Sequence, residues 1–151
     1  RGWDLWMEGG RVGSHLINKW PDDALKVVAR DPLKANAWNH VCLVYNGGKK
    51  PDSYKIYVDG QLKAQDTAND TLKSTTRTTT PFKIGQRSGG AGISDGTAVQ
   101  DVRLYGRAIT AEEATQLATG TRATYLLGKT ELSNTEKEEL FGWWLPQKDA
   151  E

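Results

Sequence analysis

The sequence predicts an all-β fold, a two-sheet antiparallel sandwich, with one or two short helices at its C-terminal end. Three observations carry this. Sixteen glycines punctuate the chain, and short runs of alternating apolar and polar residues fill its first two thirds, separated by turn signals at the spacing of an antiparallel sandwich. Helical periodicity is nearly absent before Thr110. Six Trp, five Tyr and two Phe give the 151 residues large side chains to bury, and a chain of that length hides about 70% of the surface its unfolded form exposes.

Taken in order, the pattern places strands at Trp3–Glu8, Arg11–Ile17, Leu25–Ala29, Trp38–Tyr45, Tyr54–Val58, Gln61–Ala64, Phe82–Gln86 and Ala98–Tyr105. Gly9-Gly10 and Asp59-Gly60 are two-residue hairpin loops, since such loops need positive φ at both positions. The stretch Asp66–Thr80, rich in Thr, Ser, Asn and Asp, and the stretch Gly89–Gly96 are expected as long polar loops. Thr110 caps a short helix whose first-turn Glu112 and Glu113 complement the positive helix end, and Gly120 is expected to stop it. Ser133 or Thr135 caps a second helix through Leu140 and Phe141 to Trp144 and Leu145, ended by Pro146. No repeat of 20 to 50 residues is evident, which excludes a solenoid or propeller.

Composition excludes several function classes. Twenty Lys and Arg stand against nineteen Asp and Glu, a net charge of +1, so neither a nucleic-acid arm nor a polybasic membrane patch is present. Mean hydropathy is −0.63, and no apolar run approaches the roughly 18 residues that a membrane span needs. The single cysteine, Cys42, has no partner for an intramolecular disulfide, and no Cys-x-x-Cys-His haem motif or Cys/His zinc pattern occurs. The chain opens at Arg1 as if in the middle of a sheet, and is expected to be a piece of something longer.

A two-residue loop at Gly9-Gly10 sets the register of the first hairpin: Glu8 faces Arg11, Met7 Val12, Trp6 Gly13, Leu5 Ser14, Asp4 His15, and Trp3 Leu16. One face then carries Trp3, Leu5, Met7, Val12 and Leu16 and is expected to be core. The other carries Asp4, Trp6, Glu8, Arg11 and His15, an aromatic ring over a glycine flanked by two opposite-charge pairs. Two readings of that face are open. The ring can stack on a pyranose while the charged groups bond hydroxyls, or Trp6 can merely cover Gly13 while the ion pairs tie the strands together.

The remaining candidates are weaker. Trp20-Pro21-Asp22-Asp23 is a turn with an aromatic and two acids, a candidate ligand rim at Trp20. Calcium takes about six to eight oxygens, more than two adjacent aspartates supply. Asp95 and Asp101 are similar, and no Asp-x-Asp-x-Asp-Gly loop supports them, so no cofactor is expected and calcium is left as an open alternative. His40 leads an apolar strand within Trp38-Asn39-His40 and is expected to be structural, while Asn69-Asp70-Thr71 fits a glycosylation sequon in a loop.

Several of these segments together resemble a known family. Trp38-Asn39-His40-Val41, Val44-Tyr45-Asn46-Gly47, Tyr54 through Gly60, Ile84-Gly85, and Gln100 through Thr110 with Glu113 and Leu117 follow the order of the laminin-G-like jelly roll of the concanavalin A-like lectin and glucanase superfamily. Arg1 through Trp6, His15-Leu16-Ile17, Trp20-Pro21-Asp22 and Ala24-Leu25 resemble, more narrowly, the lectin-like module of planctomycete cytochrome C family proteins. The tail from Leu132 to Leu145 resembles the segment that follows it in those proteins. The resemblance implies a jelly-roll domain over residues 1–119, missing one or more N-terminal strands and leaving Ala98–Tyr105 with an open edge, followed by a linker and helix over 120–151. It also implies an extracytoplasmic location, with glycans or other domains of the same chain as partners.

Glucanases of this superfamily carry Glu-x-Asp-x-x-Glu along one strand, and no such triplet occurs here. Asp4 and Glu8 share a face but lie four residues apart, roughly 13 Å at about 3.3 Å per residue, beyond the ~5 to 9.5 Å that glycosidases use. The expectation is a noncatalytic lectin-like module whose site comprises Asp4, Trp6, Glu8, Arg11, His15 and Trp20.

Overall fold

The structure is a computed structural model and describes residues 1–90 and 96–148. Among the described residues, seven strands form two antiparallel sheets: β1 (Gly2–Glu8), β2 (Arg11–Lys19), β3 (Asp23–Pro32) and β7 (Gln65–Asp70) in the order β1-β2-β3-β7, and β4 (Val41–Tyr45), β5 (Tyr54–Val58) and β6 (Gln61–Leu62) in the order β4-β5-β6. Two helices follow, α1 (Ala111–Leu127) and α2 (Asn134–Lys148).

Both glycine turns form as expected. Gly9 and Gly10 take φ of 58° and 77°, and the first hairpin adopts every pairing from Glu8↔Arg11 to Trp3↔Leu16. Asp59 and Gly60 take φ of 50° and 76° and join β5 to β6. Glycine is needed at 60 twice over, because a Cβ there would also lie 3.0 Å from the Cα of Thr115 on α1.

The core lies between the sheets. Val12, Leu16, Leu25, Val27 and Ala29 from β2 and β3 meet Tyr54, Ile56 and Val58 from β5, with Leu72 beneath and β4 packed alongside. On the far side of the smaller sheet, Ile109 and Ala114 cover Val44 and Tyr57, which seats α1 there. Thr110 and Glu113 form the capping box that starts α1, and Ser133 with Glu136 does the same for α2.

Several expectations are corrected. Trp3, Leu5 and Met7 are not core; they are about half exposed, at 50%, 49% and 48%. The reason is topological: β6 feeds through two residues into β7, so the smaller sheet begins over the β7 edge and ends at β4 before it covers β1. Ala98–Tyr105 is not a strand. Asp101 takes a left-handed φ of 56° and grips Arg103 two residues on, bending the segment. Phe82–Gln86 is broken by Gly85 at φ 82°, and Phe82 leans on Trp3 with ring centroids 5.7 Å apart.

The loop expected from Asp66 begins instead as β7, whose polar side chains give no alternation; it forms because the edge of β3 offers backbone partners. Strands β2 and β3 run longer than expected, β4 begins only at Val41, and β6 ends at Leu62. Gly120 does not stop α1, which runs seven residues further. A helical glycine costs only about 1 kcal/mol, and the bidentate bond of Arg122 to Glu139 on α2 helps to hold the extension. Pro146 lies inside the last turn of α2 rather than ending it, and the helix stops two residues beyond.

Candidate functional site

The face of the larger sheet turned away from the core carries Asp4, Trp6 and Glu8 from β1, Arg11, Gly13 and His15 from β2, and Lys26 from β3. Its layout follows from strand alternation once the hairpin register is fixed. Asp4 accepts from both the backbone N–H of His15, at 2.8 Å, and its ring Nδ1, at 2.9 Å. The guanidinium of Arg87, arriving from the irregular segment beyond β7, lies 3.2 Å from the other oxygen of Asp4. His15 is buried, its ring stacked on Trp6 at 5.1 Å and meeting Trp20 edge-on at 5.4 Å.

Trp6 lies flat over Gly13, where a Cβ would come within 3.0 Å of the indole nitrogen. The ammonium of Lys26 sits 4.9 Å above that ring and reaches on to Glu8 at 3.0 Å. Trp6 is therefore part of the floor rather than an open platform. Its Nε1 is buried without an acceptor among the described residues, a cost of about 1–3 kcal/mol that the packing of the ring must offset. The expected pair of Glu8 with Arg11 is replaced by Glu8 with Lys26, because the long lysine stem lies along the indole. The bond from Lys26 chiefly holds the Glu8 carboxyl below its ordinary pKa. Arg11 contacts Glu8 only through the backbone oxygen, at 3.4 Å.

Trp20 is the open aromatic of this face, 50% exposed at the turn between β2 and β3. Its carrier turn is held firmly. Asn69 and Thr71 donate to the carbonyl of Pro21 at 3.0 and 2.6 Å and also to that of Ala24, and the Trp20–Pro21 peptide is cis. Asn69 thus lies in a strand with its amide nitrogen bonded to three acceptors, a different setting from the loop sequon expected there.

The aspartates considered for calcium do not fit a cation. Asp23 accepts from the backbone N–H groups of Lys73 and Ser74 and from Asn18, which drive its carboxyl far below the usual range. Asp22 pairs with Lys19 at 2.8 Å, and Asp101 with Arg103 at 2.7 Å. Asp95 lies outside the described residues, and no cluster of three or more potential ligands occurs among the described ones. His40 sits half-buried before β4, its pKa pushed down by burial, with its backbone tied to Asp59.

The structure thus brings Asp4, Trp6, His15 and Trp20 together, keeps Glu8 at their margin, and leaves Arg11 aside. Sequence reasoning missed Lys26 and Arg87. Lys26 was within reach, because pairing β2 with β3 sets it opposite His15; Arg87 comes from an irregular segment that carries no register.

Two antiparallel sheets packed face to face around one apolar core make a β-sandwich. The chain belongs to the concanavalin A-like lectin/glucanases superfamily, whose family model matches residues 2–115. No curated protein sequence matches it. Among solved structures it is similar to a segment of an S-layer domain-containing protein from Clostridium thermocellum, at 17% identity and a TM-score of 0.45, with 78% of this chain and 63% of that one covered. Among the described residues, no helix is long and apolar enough to cross a membrane.

Proposed function

We propose that this domain is a noncatalytic glycan-binding module that uses the outer face of its larger sheet. The observation that carries the reading is an open indole, Trp20, beside a floor of Trp6 and His15, with Asp4, Arg87, Lys26 and Glu8 around it as hydroxyl-bonding groups. Neither helix lies across this face, since α1 packs on the smaller sheet and α2 on α1. Both carboxylates are engaged by cations or by His15, an arrangement suited to holding hydroxyls rather than to delivering a proton as a general acid. On the resemblance to planctomycete cytochrome C family proteins, the module belongs to an exported multidomain chain.

Titration with a panel of soluble polysaccharides, with and without calcium, followed by tryptophan fluorescence, tests this. Saturable quenching is expected in the wild type, and its loss in Trp20→Ala, with no dependence on calcium. A flat response from a folded sample overturns the reading. A second reading, packing against other parts of the same protein, is favoured by the cleft of about 350 Å³ on the helical hairpin, lined by Leu127, Leu132, Leu140, Phe141, Trp143 and Trp144.

A further inference from the structure

A cleft of about 420 Å³ lies between α1, α2 and the segment that leads into α1, within the range of ~300–1,000 Å³ that small-molecule sites occupy. Its floor is one face of α1, where Glu113, Gln116, Leu117, Gly120, Thr121 and Thr124 recur at three- and four-residue spacing. Its aromatic walls come from different elements, Tyr105 from the segment before α1 and Trp143 from α2. The bidentate bond of Arg122 to Glu139 fixes where Trp143 stands, because Glu139 lies one helical turn before it on the same face.

Gly120 and the polar groups beside it are not explained by packing. Glycine inside a helix is destabilising relative to alanine. Gly120 has no positive φ, and a Cβ there would meet nothing within 4 Å among the described residues, so neither the backbone nor crowding calls for it. What it leaves is open floor. The neighbouring hydroxyls of Thr115, Thr119 and Thr124 bond back to helix carbonyls, whereas the Gln116 amide and the Thr121 hydroxyl have no partner among the described residues.

We propose that this cleft is a second ligand site, separate from the outer face of the larger sheet, and that it takes an uncharged, hydroxyl-rich ring such as a neutral sugar residue. Charge balance argues for a neutral ligand: Arg103 is held by Asp101 and Arg107 by Glu113, one carboxylate to each cation. A guanidinium has five N–H donors, and a bidentate carboxylate occupies two, so donors remain for hydroxyl oxygens. A purely apolar ring would strip water from Gln116 and Thr121 and leave them unpaired. A sugar offers hydroxyls to those groups at its rim and C–H faces to Tyr105 and Trp143.

Amide and indole chemical shifts of the ¹⁵N-labelled whole chain test the site, in titrations with the methyl glycosides of glucose, galactose and mannose and, as a charged counterpart, methyl glucuronide. At least one neutral glycoside is expected to shift the amides of Gly120 and Thr121 and the indole N–H of Trp143. Trp143→Ala is expected to weaken the binding at least about tenfold. Gly120→Leu fills the floor with a better helix former, so it should abolish the shifts while the helical circular dichroism is kept. No shift at these positions with any of the three neutral glycosides overturns the proposal. So do shifts that survive Gly120→Leu, or shifts with the glucuronide alone. Trp20→Ala should leave this binding intact, so the cleft and the outer face stand or fall separately; loss of the shifts in that variant would also overturn the second site.

Discussion

The inner sides of β2 and β1 belong to one sheet and follow the same alternation, yet they end in different places. Val12 and Leu16 are 2% and 6% exposed under β5, whereas Trp3, Leu5 and Met7, one strand away, are about half exposed. Alternation assigns a side chain to a face; burial then depends on whether another layer reaches that face. The layer that seals β2 and β3 stops at β4.

The sharpest way to break this comparison is to truncate a side chain on each side of the boundary. Ile56→Ala, at a fully buried position facing β2 and β3, is expected to cost about 2–5 kcal/mol in denaturant unfolding. Leu5→Ala, at a half-exposed position, is expected to cost less than about 1 kcal/mol. Equal losses would mean that the inner face of β1 is covered in solution.

A smaller effect is expected on the outer face, where the packing is made by the sheet's own side chains. Gly13→Ala places a methyl within 3.0 Å of the Trp6 ring and is expected to destabilise by about 1–3 kcal/mol. The ring must lift, which also disturbs the Lys26 contact, so a change in tryptophan emission should accompany the loss. Unchanged emission and stability would show that Trp6 does not lie on Gly13.

Across the core, Ser14 is wholly buried, bonded to the carbonyl of Asp4 and to the hydroxyl of Tyr54. Tyr54→Phe leaves Ser14 one of its two partners and is expected to cost about 0.5–1.5 kcal/mol. Burial pushes the Tyr54 hydroxyl up to about 12. A phenol whose pKa is raised on folding contributes stability that is complete below about 10 and is lost as pH rises from about 10 towards 12. The wild type should therefore weaken over that range more than Tyr54→Phe does; parallel alkaline curves would contradict it.

The first hairpin and the Asp59-Gly60 turn were legible because two-residue loops fix register, and register fixes faces. The cluster of Asp4, Trp6 and His15 followed from that arithmetic alone. Trp6 as floor and Trp20 as the open ring did not, since which of two aromatics stays uncovered depends on Lys26, whose strand pairing the alternation left unassigned. Strand β7 was missed because an edge strand of Gln, Asp, Thr and Asn carries no apolar period, and its main-chain bonds to β3 are invisible in composition. The reverse error at 98–105 has the same origin: an alternating sequence gives a strand only where a backbone edge receives it.

The smallest expected effect separates the helices from the sandwich. Glu113 bonds Arg107 and the backbone N–H of Thr110, and Glu136 bonds Lys129 and that of Ser133; both carboxyls are held down at about 2. A carboxyl whose pKa is lowered on folding contributes stability that is present above its unfolded value, near 4.5 here, and lost as pH falls towards about 2. Each acid sits in the first turn of its helix, so protonation also removes a charge favoured by the helix dipole. Helical circular dichroism should fall between pH 4.5 and 2, and Glu113→Gln with Glu136→Gln should show part of that loss already at neutral pH and a shallower acid limb. Asp23 also holds a sheet turn through an acceptor carboxylate, but its pKa lies lower still, so the sheet should outlast the helices as acid is added. Loss of near-ultraviolet tryptophan signal before the helical signal would reverse that order and place the weaker part of the molecule in the sandwich.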